Sequence, residues 1–292
     1  MALTDAESAP RFARLRWIWA PGNRKLVFLL ILFALFILAA VFAPLIAPED
    51  PFRQNLLGRL KPPGTTARGT FFLLGSDELG RDVLSRVLYG ARISLAVAFS
   101  SVIASALIGV SVGMFAAYRG GIAEAVLMRL TDIILSVPGI LIALIVVAAL
   151  GPGMINVILV LTITRWPRYA RVAYAQTLQL SSQPFVRLSK HMGSSTVYIL
   201  TRHVLPNIIG PLAVVATLEF GLMILWEASL SFLGLGVQPP TPSLGNMLSG
   251  GRVYAASAWW IATIPGLVLF ALIAVVNVMG DELRDRLDPK GR

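Results

Sequence analysis

The sequence predicts an all-α polytopic membrane protein with six transmembrane helices, and three observations predict it. Only 14% of the 292 residues are charged while 56% are hydrophobic, against about 25% charged in a soluble domain. Apolar runs approach the roughly 20 residues needed to cross a hydrocarbon core of about 30 Å, and they recur along the chain. The formal net charge of +10 is carried by Lys and Arg that sit mainly between those runs, where they orient helices. No nucleic-acid signature accompanies it. The absence of cysteine excludes disulfides, thiolate metal sites and cysteine nucleophiles.

The first apolar run, 26–47, follows Arg24 and Lys25 and spans 22 residues. It exceeds the 7–15 residues of a cleaved signal and reads as a retained first helix behind an N-terminal segment 1–25. Further helices are expected near 92–118, 124–150, 153–175, 208–236 and 259–280. Within 153–175 the clean run "MINVILVLTIT" has 11 residues before Arg165. Trp166 and Tyr169 are therefore expected at the membrane interface, with a re-entrant segment as the competing reading. Six crossings place both termini on one side. The candidate inner segments and Arg129 hold 17 Lys/Arg against 8 elsewhere, which puts the termini, including the tail 281–292, in the cytosol.

The outer loop 48–91 ends in "LGSDELGRDVLSRVLYGARISL". Ser76 or Asp77 with Glu78 resembles a helix start. A short interfacial helix would then turn Val83, Val87 and Leu88 to the bilayer and Arg81, Asp82, Ser85 and Arg86 to water. In the second span Gly109 and Gly113 are spaced for close helix approach. In the third, Pro138 removes a backbone hydrogen bond and predicts a kink.

The chemistry that is missing narrows function. None of the four lysines, Lys25, Lys61, Lys190 and Lys290, follows a glycine, so the chain carries no GxxxxGK[ST] phosphate loop and no Walker-type ATPase of its own. His191 and His203 are the only histidines, and they have no nearby carboxylate or cysteine to complete a metal site or a buried serine to activate. Neither catalysis nor a bound cofactor is expected. Two acids fall inside a predicted span. Glu219 is 11 residues past Ile208, about 16 Å along a helix and near the midplane, and Glu227 lies about 12 Å further out. A charge at the centre costs about 2.5–3.5 kcal/mol on insertion scales, so both are candidates for a polar translocation path. Asp132 is expected to pair with Arg129 one turn away.

Between Ile133 and Leu218 there is no acid at all, yet "FVRLSKHMGSSTVYILTRHVLPN" (185–207) is basic. Ser182-Gln183-Pro184 suits a helix start. Phe185, Leu188 and Met192 form an apolar stripe, with Arg187, Lys190 and His191 off it. Gly193 suits a helix end and Ser194 or Ser195 the next cap, with a second short helix over 196–205 before Pro206. Such a helix–turn–helix lies on the inner surface and meets either anionic lipid or a cytosolic partner.

With these motifs in hand, the chain resembles the inner-membrane permease subunits of binding-protein-dependent ABC importers, in the dipeptide/oligopeptide/nickel branch. "LGSDELGRDVLSRVLYGARISL", "MRLTDIILSVPGIL", "RWPRYARVAYAQTL", "EASLSFLGLGVQPPTPSLGNML" and "GDELRDRLDP" carry the resemblance in order, with Leu244 where tryptophan is common. It implies a type I ABC importer permease fold, a permease core over 92–280 and a location in the bacterial cytoplasmic membrane. It also implies a second homologous permease, two cytosolic ATPases that bind ATP and Mg, and an extracytoplasmic solute-binding protein. The family's cytosolic loop, here 176–207, carries EAA, three residues, Gly and a later Leu-Pro, and it forms a coupling helix against the ATPase. Gly193 and Leu205-Pro206 match that frame. Arg187-Leu188-Ser189 stand where EAA would, followed by Lys190, His191 and Met192. With a guanidinium in place of a carboxylate, three outcomes are open: a compensating acid on the ATPase, an Arg187 that points to water, or weaker coupling. Exposure is the first expectation, because surface ion pairs are worth about 0–1 kcal/mol. Peptide is the favoured solute, with nickel chelates, glutathione and opine-like compounds also handled by the branch. The alternative is a proton-coupled secondary transporter using Glu219 and Glu227, against which the absence of an internal repeat counts. A non-transporting scaffold would leave the intramembrane acids and broken helices without a purpose.

Overall fold

A computed structural model describes residues 24–67 and 69–287. The expectations for 1–23 and 288–292 lie outside the described residues. The helices are α1 (Arg24–Val41), α2 (Ala43–Ile46), α3 (Val83–Arg119), α4 (Gly121–Ser136), α5 (Gly139–Leu150), α6 (Met154–Ser181), α7 (Pro184–His191), α8 (Thr196–Tyr198), α9 (Leu205–Phe232), α10 (Leu244–Gly251) and α11 (Trp260–Leu287). Two three-residue strands, β1 (Thr65–Ala67) and β2 (Thr70–Phe72), form an antiparallel hairpin within the loop between α2 and α3. With an isolated antiparallel bridge between Ser76 and Asp82, they are the β structure among the described residues of an otherwise helical chain.

Four helices are long and apolar enough to cross a membrane: Arg24–Val41, Val83–Arg119, Thr196–Phe232 and Trp260–Arg286. The pair α4 and α5 would make a fifth, bent by 90°. The bend falls at Val137-Pro138, as the proline predicts, because its ring lacks the N–H that would continue the helix. α6 has 28 residues, about 42 Å of helix and long enough to cross, but Arg165, Arg168 and Arg171 interrupt its apolar character. The six-span count is compatible with this architecture.

Two expectations about the loop are corrected. The interfacial helix and the second span are one continuous helix of 37 residues, α3, which starts at Val83 behind an Asp82 cap rather than at Ser76 or Asp77. The Asp82 carboxylate accepts from the Ser85 backbone N–H at 2.7 Å and so caps it. The groups expected to face water are packed inside: Arg81, Asp82, Ser85 and Arg86 are all buried, as are Val83 and Val87. Buried charges need partners, and Asp77 supplies them. It accepts from Arg81 Nε at 2.6 Å and lies 3.3 Å from Arg86 Nε, while Arg81 also reaches Glu78 at 2.8 Å. The Trp260 indole donates to the Ser76 carbonyl at 3.0 Å and ties this charged knot to the start of α11. Gly80 has φ +72°, and a Cβ there would lie 1.8 Å from the Asn55 carbonyl oxygen. Only glycine fits such a turn.

In the helical body α3 lies against α6 along the expected small-residue seam. A Cβ on Gly109 would come within 2.3 Å of the Trp166 carbonyl oxygen, and one on Gly113 within 2.2 Å of that of Ala170. The two backbones therefore touch directly. One apolar core gathers residues from α3, α6, α9, α10 and α11 towards the loop side. A second core joins Met114 of α3 and Tyr169 and Ala173 of α6 to Val186 of α7 and to Ile208 and Leu212 of α9.

Candidate functional site

α9 carries its two glutamates into different surroundings. Glu219 is 3% exposed and faces α6. Arg168 Nη1 donates to its Oε1 at 2.9 Å, and Arg165 Nη1 lies 3.8 Å from Oε2. Arg165 also stacks its guanidinium 4.8 Å from the Trp226 ring centre, a favourable place for a desolvated cation. Arg165 and Arg168 are three residues apart on α6, so both face the same side. A cavity of about 580 Å³ opens beside this cluster, lined among others by Arg168, Glu219, Asn277 and Asp281. A smaller one of about 160 Å³ lies at the Pro138 bend and is walled by Gly139, Arg165, Arg168 and Trp226. Arg168 borders both. Arg165 Nε, Glu219 Oε2 and the Tyr169 hydroxyl are buried without a hydrogen-bond partner among the described residues. Buried polar groups are normally satisfied, so unspent capacity here marks a place able to receive a polar solute. Two guanidiniums with two carboxylates, Glu219 and Asp281, suit a small molecule carrying both charges.

Trp166 and Tyr169, expected at the membrane interface, are both buried within the bundle, and two other expectations change at this site. Asp132 is ion-paired to Arg171 of α6, not to Arg129, because the helix contact brings a distant guanidinium to it. Glu227 is fully enclosed. Ser94 of α3 donates to it at 2.5 Å and Ser231 at 2.7 Å, so it ties α9 to α3 rather than lining an opening. The arginines were the residues missed. The available signal was two cations three apart in an apolar, acid-free stretch that ends at Glu219.

The basic segment folds largely as its residues predict. Gln183 precedes α7 with Pro184 in the first turn, Gly193 takes φ +84°, and Ser195 caps α8 by accepting from the Tyr198 N–H at 3.3 Å. Beyond Tyr198 the chain does not stop. A π-helical turn, Ile199–Val204, leads without a break into α9, with Pro206 in its first turn. α7 is anchored by Val186, which is buried, and the expected stripe of Phe185, Leu188 and Met192 is exposed. Arg187, Lys190, His191 and Arg202 have no carboxylate partner among the described residues. Lys190 lies 5.7 Å from the Tyr118 ring centre, and His203 meets the rings of Phe185 and Tyr198 edge-on. α7 is thus a fixed knob with an uncovered apolar and basic face.

Comparison with known proteins bears directly on these features. Residues 109–292 match the family described as binding-protein-dependent transport system inner membrane component. The chain belongs to that family. Residues 22–63 match the N-terminal transmembrane domain of oligopeptide transport permease C. The chain is 44% identical over 262 residues to the di/tripeptide transport system permease protein DppC of Pseudomonas aeruginosa, covering 89% of this chain and 86% of that one. It is 41% identical over 275 residues to the dipeptide transport system permease protein DppC of Escherichia coli, covering 94% and 92%. Its fold is shared with an inward-facing MetNI methionine ABC transporter structure, at TM-score 0.54 and 21% identity over 69% of this chain and 96% of that one. This binding-protein-dependent permease is therefore a multi-pass inner-membrane transport component, not a catalytic one.

Proposed function

We propose that this permease is one half of the translocation path of an ATP-driven importer of di- and tripeptides, with both termini in the cytosol. Its partners in this reading are a second homologous permease, two cytosolic ATPase subunits holding ATP and Mg, and an extracytoplasmic solute-binding protein. The substrate class is supported by the di/tripeptide and dipeptide permeases to which the chain is 44% and 41% identical.

The observation that carries the mechanism is the second apolar core. Val186 of α7 packs with Ile199, Leu200 and Val204 and, through them, with Tyr169 and Ala173 of α6 and Ile208 of α9. A close-packed core transmits displacement rather than absorbing it. An ATPase that grips the exposed face around Leu188 and Met192 would therefore move α6 against α9. Those two helices carry the two sides of the Arg168–Glu219 ion pair. Opening that pair frees Arg168 for a peptide carboxylate, and Glu219 or Asp281 for a peptide ammonium. The coupling residues are Arg187 to Gly193, with Leu205 and Pro206 closing the loop. A proton-coupled transporter relaying through Glu219 and Glu227 is not favoured, since Glu227 is caged by serines and the chain's relatives are ABC permeases.

Reconstituted alone in vesicles, the chain is expected to neither hydrolyse ATP nor take up dipeptide. Uptake should appear only when the ATPases, the second permease and the solute-binding protein are added, and uptake by the chain alone would overturn the proposal. Arg187→Glu is expected to leave the complex intact and to lower substrate-stimulated ATPase by no more than about fivefold, because an exposed pair is worth at most about 1 kcal/mol. A much larger fall in the purified complex would show that Arg187 is buried against an ATPase carboxylate instead.

A further inference from the structure

We infer that the groove between α1, α3, α9 and α11 is a binding site for a glycerophospholipid, with its phosphate held by Arg92. The groove encloses about 730 Å³ and is walled by apolar side chains, among them Phe33, Val41, Phe99 and Phe220. Its volume falls within the range of about 300–1,000 Å³ typical of ligand clefts. Arg92 is its one charged residue. That guanidinium is exposed and has neither a hydrogen-bond nor an ion-pair partner among the described residues.

Depth supports the assignment. The cations Arg24 and Lys25 fix the inner end of the first apolar run, and the helix from there to Val41 is about 25 Å long, close to the hydrocarbon thickness, so Val41 lies near the membrane boundary on the loop side. α1 runs towards the 48–82 loop and α3 away from it, which brings the late residues of α1 level with the early residues of α3. Arg92 therefore sits at the boundary where phosphates lie, and the groove descends from it along Phe99 and Phe33 into the hydrocarbon. A planar guanidinium recognises phosphate oxygens in pairs, and an apolar trough below it matches an acyl chain. A protein helix in the same place would bury Arg92 and need a carboxylate at that position. A phospholipid brings the opposite charge at the required depth.

The test uses native membrane vesicles carrying the full-length chain and a phosphatidylethanolamine with a photoactivatable diazirine in one acyl chain. Label should concentrate on α1 and α3 peptides lining the groove. Arg92→Gln should cut that label at least fivefold, while Arg92→Lys keeps at least half of it. Ala216→Trp, which puts a bulky ring into the trough from α9 and leaves Arg92 itself unchanged, should also displace it. Equal labelling of wild type and Arg92→Gln would reduce the groove to ordinary bilayer contact and overturn the site. So would crosslinks from α1 and α3 to another protein in place of lipid.

Discussion

Glu219→Ala is expected to lower dipeptide uptake by the assembled transporter more than tenfold and to destabilise the chain by about 3 kcal/mol. Removing one member of a buried ion pair costs about 3–5 kcal/mol because the remaining charge has lost its counter-ion. Arg165 is the residue left in that position, with a side chain 8% exposed. Arg168→Ala should cost much less, about 1 kcal/mol or under, because its side chain is 49% exposed and Glu219 retains Arg165. Its transport defect should nevertheless be large, since Arg168 borders both cavities. Thermal unfolding in detergent separates the two effects from uptake in vesicles. If Arg168→Ala were as unstable as Glu219→Ala, or transported normally, the cluster would be a structural tie and not part of the path.

Gly113→Val is expected to prevent recovery of a monodisperse protein, and Gly109→Ala to reduce its yield severely. A Cβ at either position meets a backbone carbonyl of α6 within 2.3 Å, and a backbone cannot swing aside as a side-chain tip can. Overpacking costs about 1–3 kcal/mol where neighbours can adjust, and here the whole of α6 would have to move, carrying Arg165 and Arg168 away from Glu219. Gly210→Ala in α9 is the control. Nothing lies within 4 Å of its added Cβ, and alanine is the better helix former, so yield and melting temperature should hold or rise. Size-exclusion profiles and melting temperatures of the three variants decide the matter, and a well-behaved Gly113→Val would refute the direct backbone contact.

Features that depend on a few adjacent residues were legible in advance. Pro138 breaks its helix, Gly193 takes the left-handed turn, and Ser195 caps the helix after it, because each follows from that residue's own backbone preferences. The four-residue spacing of Gly109 and Gly113 likewise announced a close helix contact, though not which helix would be met. The environments of the charges were not legible. The "SDELGRD" loop reads as solvated because five of its seven residues are polar or charged, yet Asp77 folds Arg81 and Arg86 inward and closes the pairing internally. Asp132 had Arg129 within one turn but meets Arg171, 39 residues away.

The sequence by itself determined that the chain is a helical membrane protein of the permease type, with no GxxxxGK[ST] phosphate loop and with a basic segment over 185–207. Hydropathy, spacing and motif order are local and additive along the chain. Only the tertiary structure decided which charges are buried and with whom. Ion pairing inside a bundle depends on which helices touch, and that is set by small residues and broken helices far from the charges themselves. Glu219 was visible as an acid near the midplane and a candidate for the path, but its partners emerged only when the glycine seam brought α6, with Arg165 and Arg168, within the bundle to meet it.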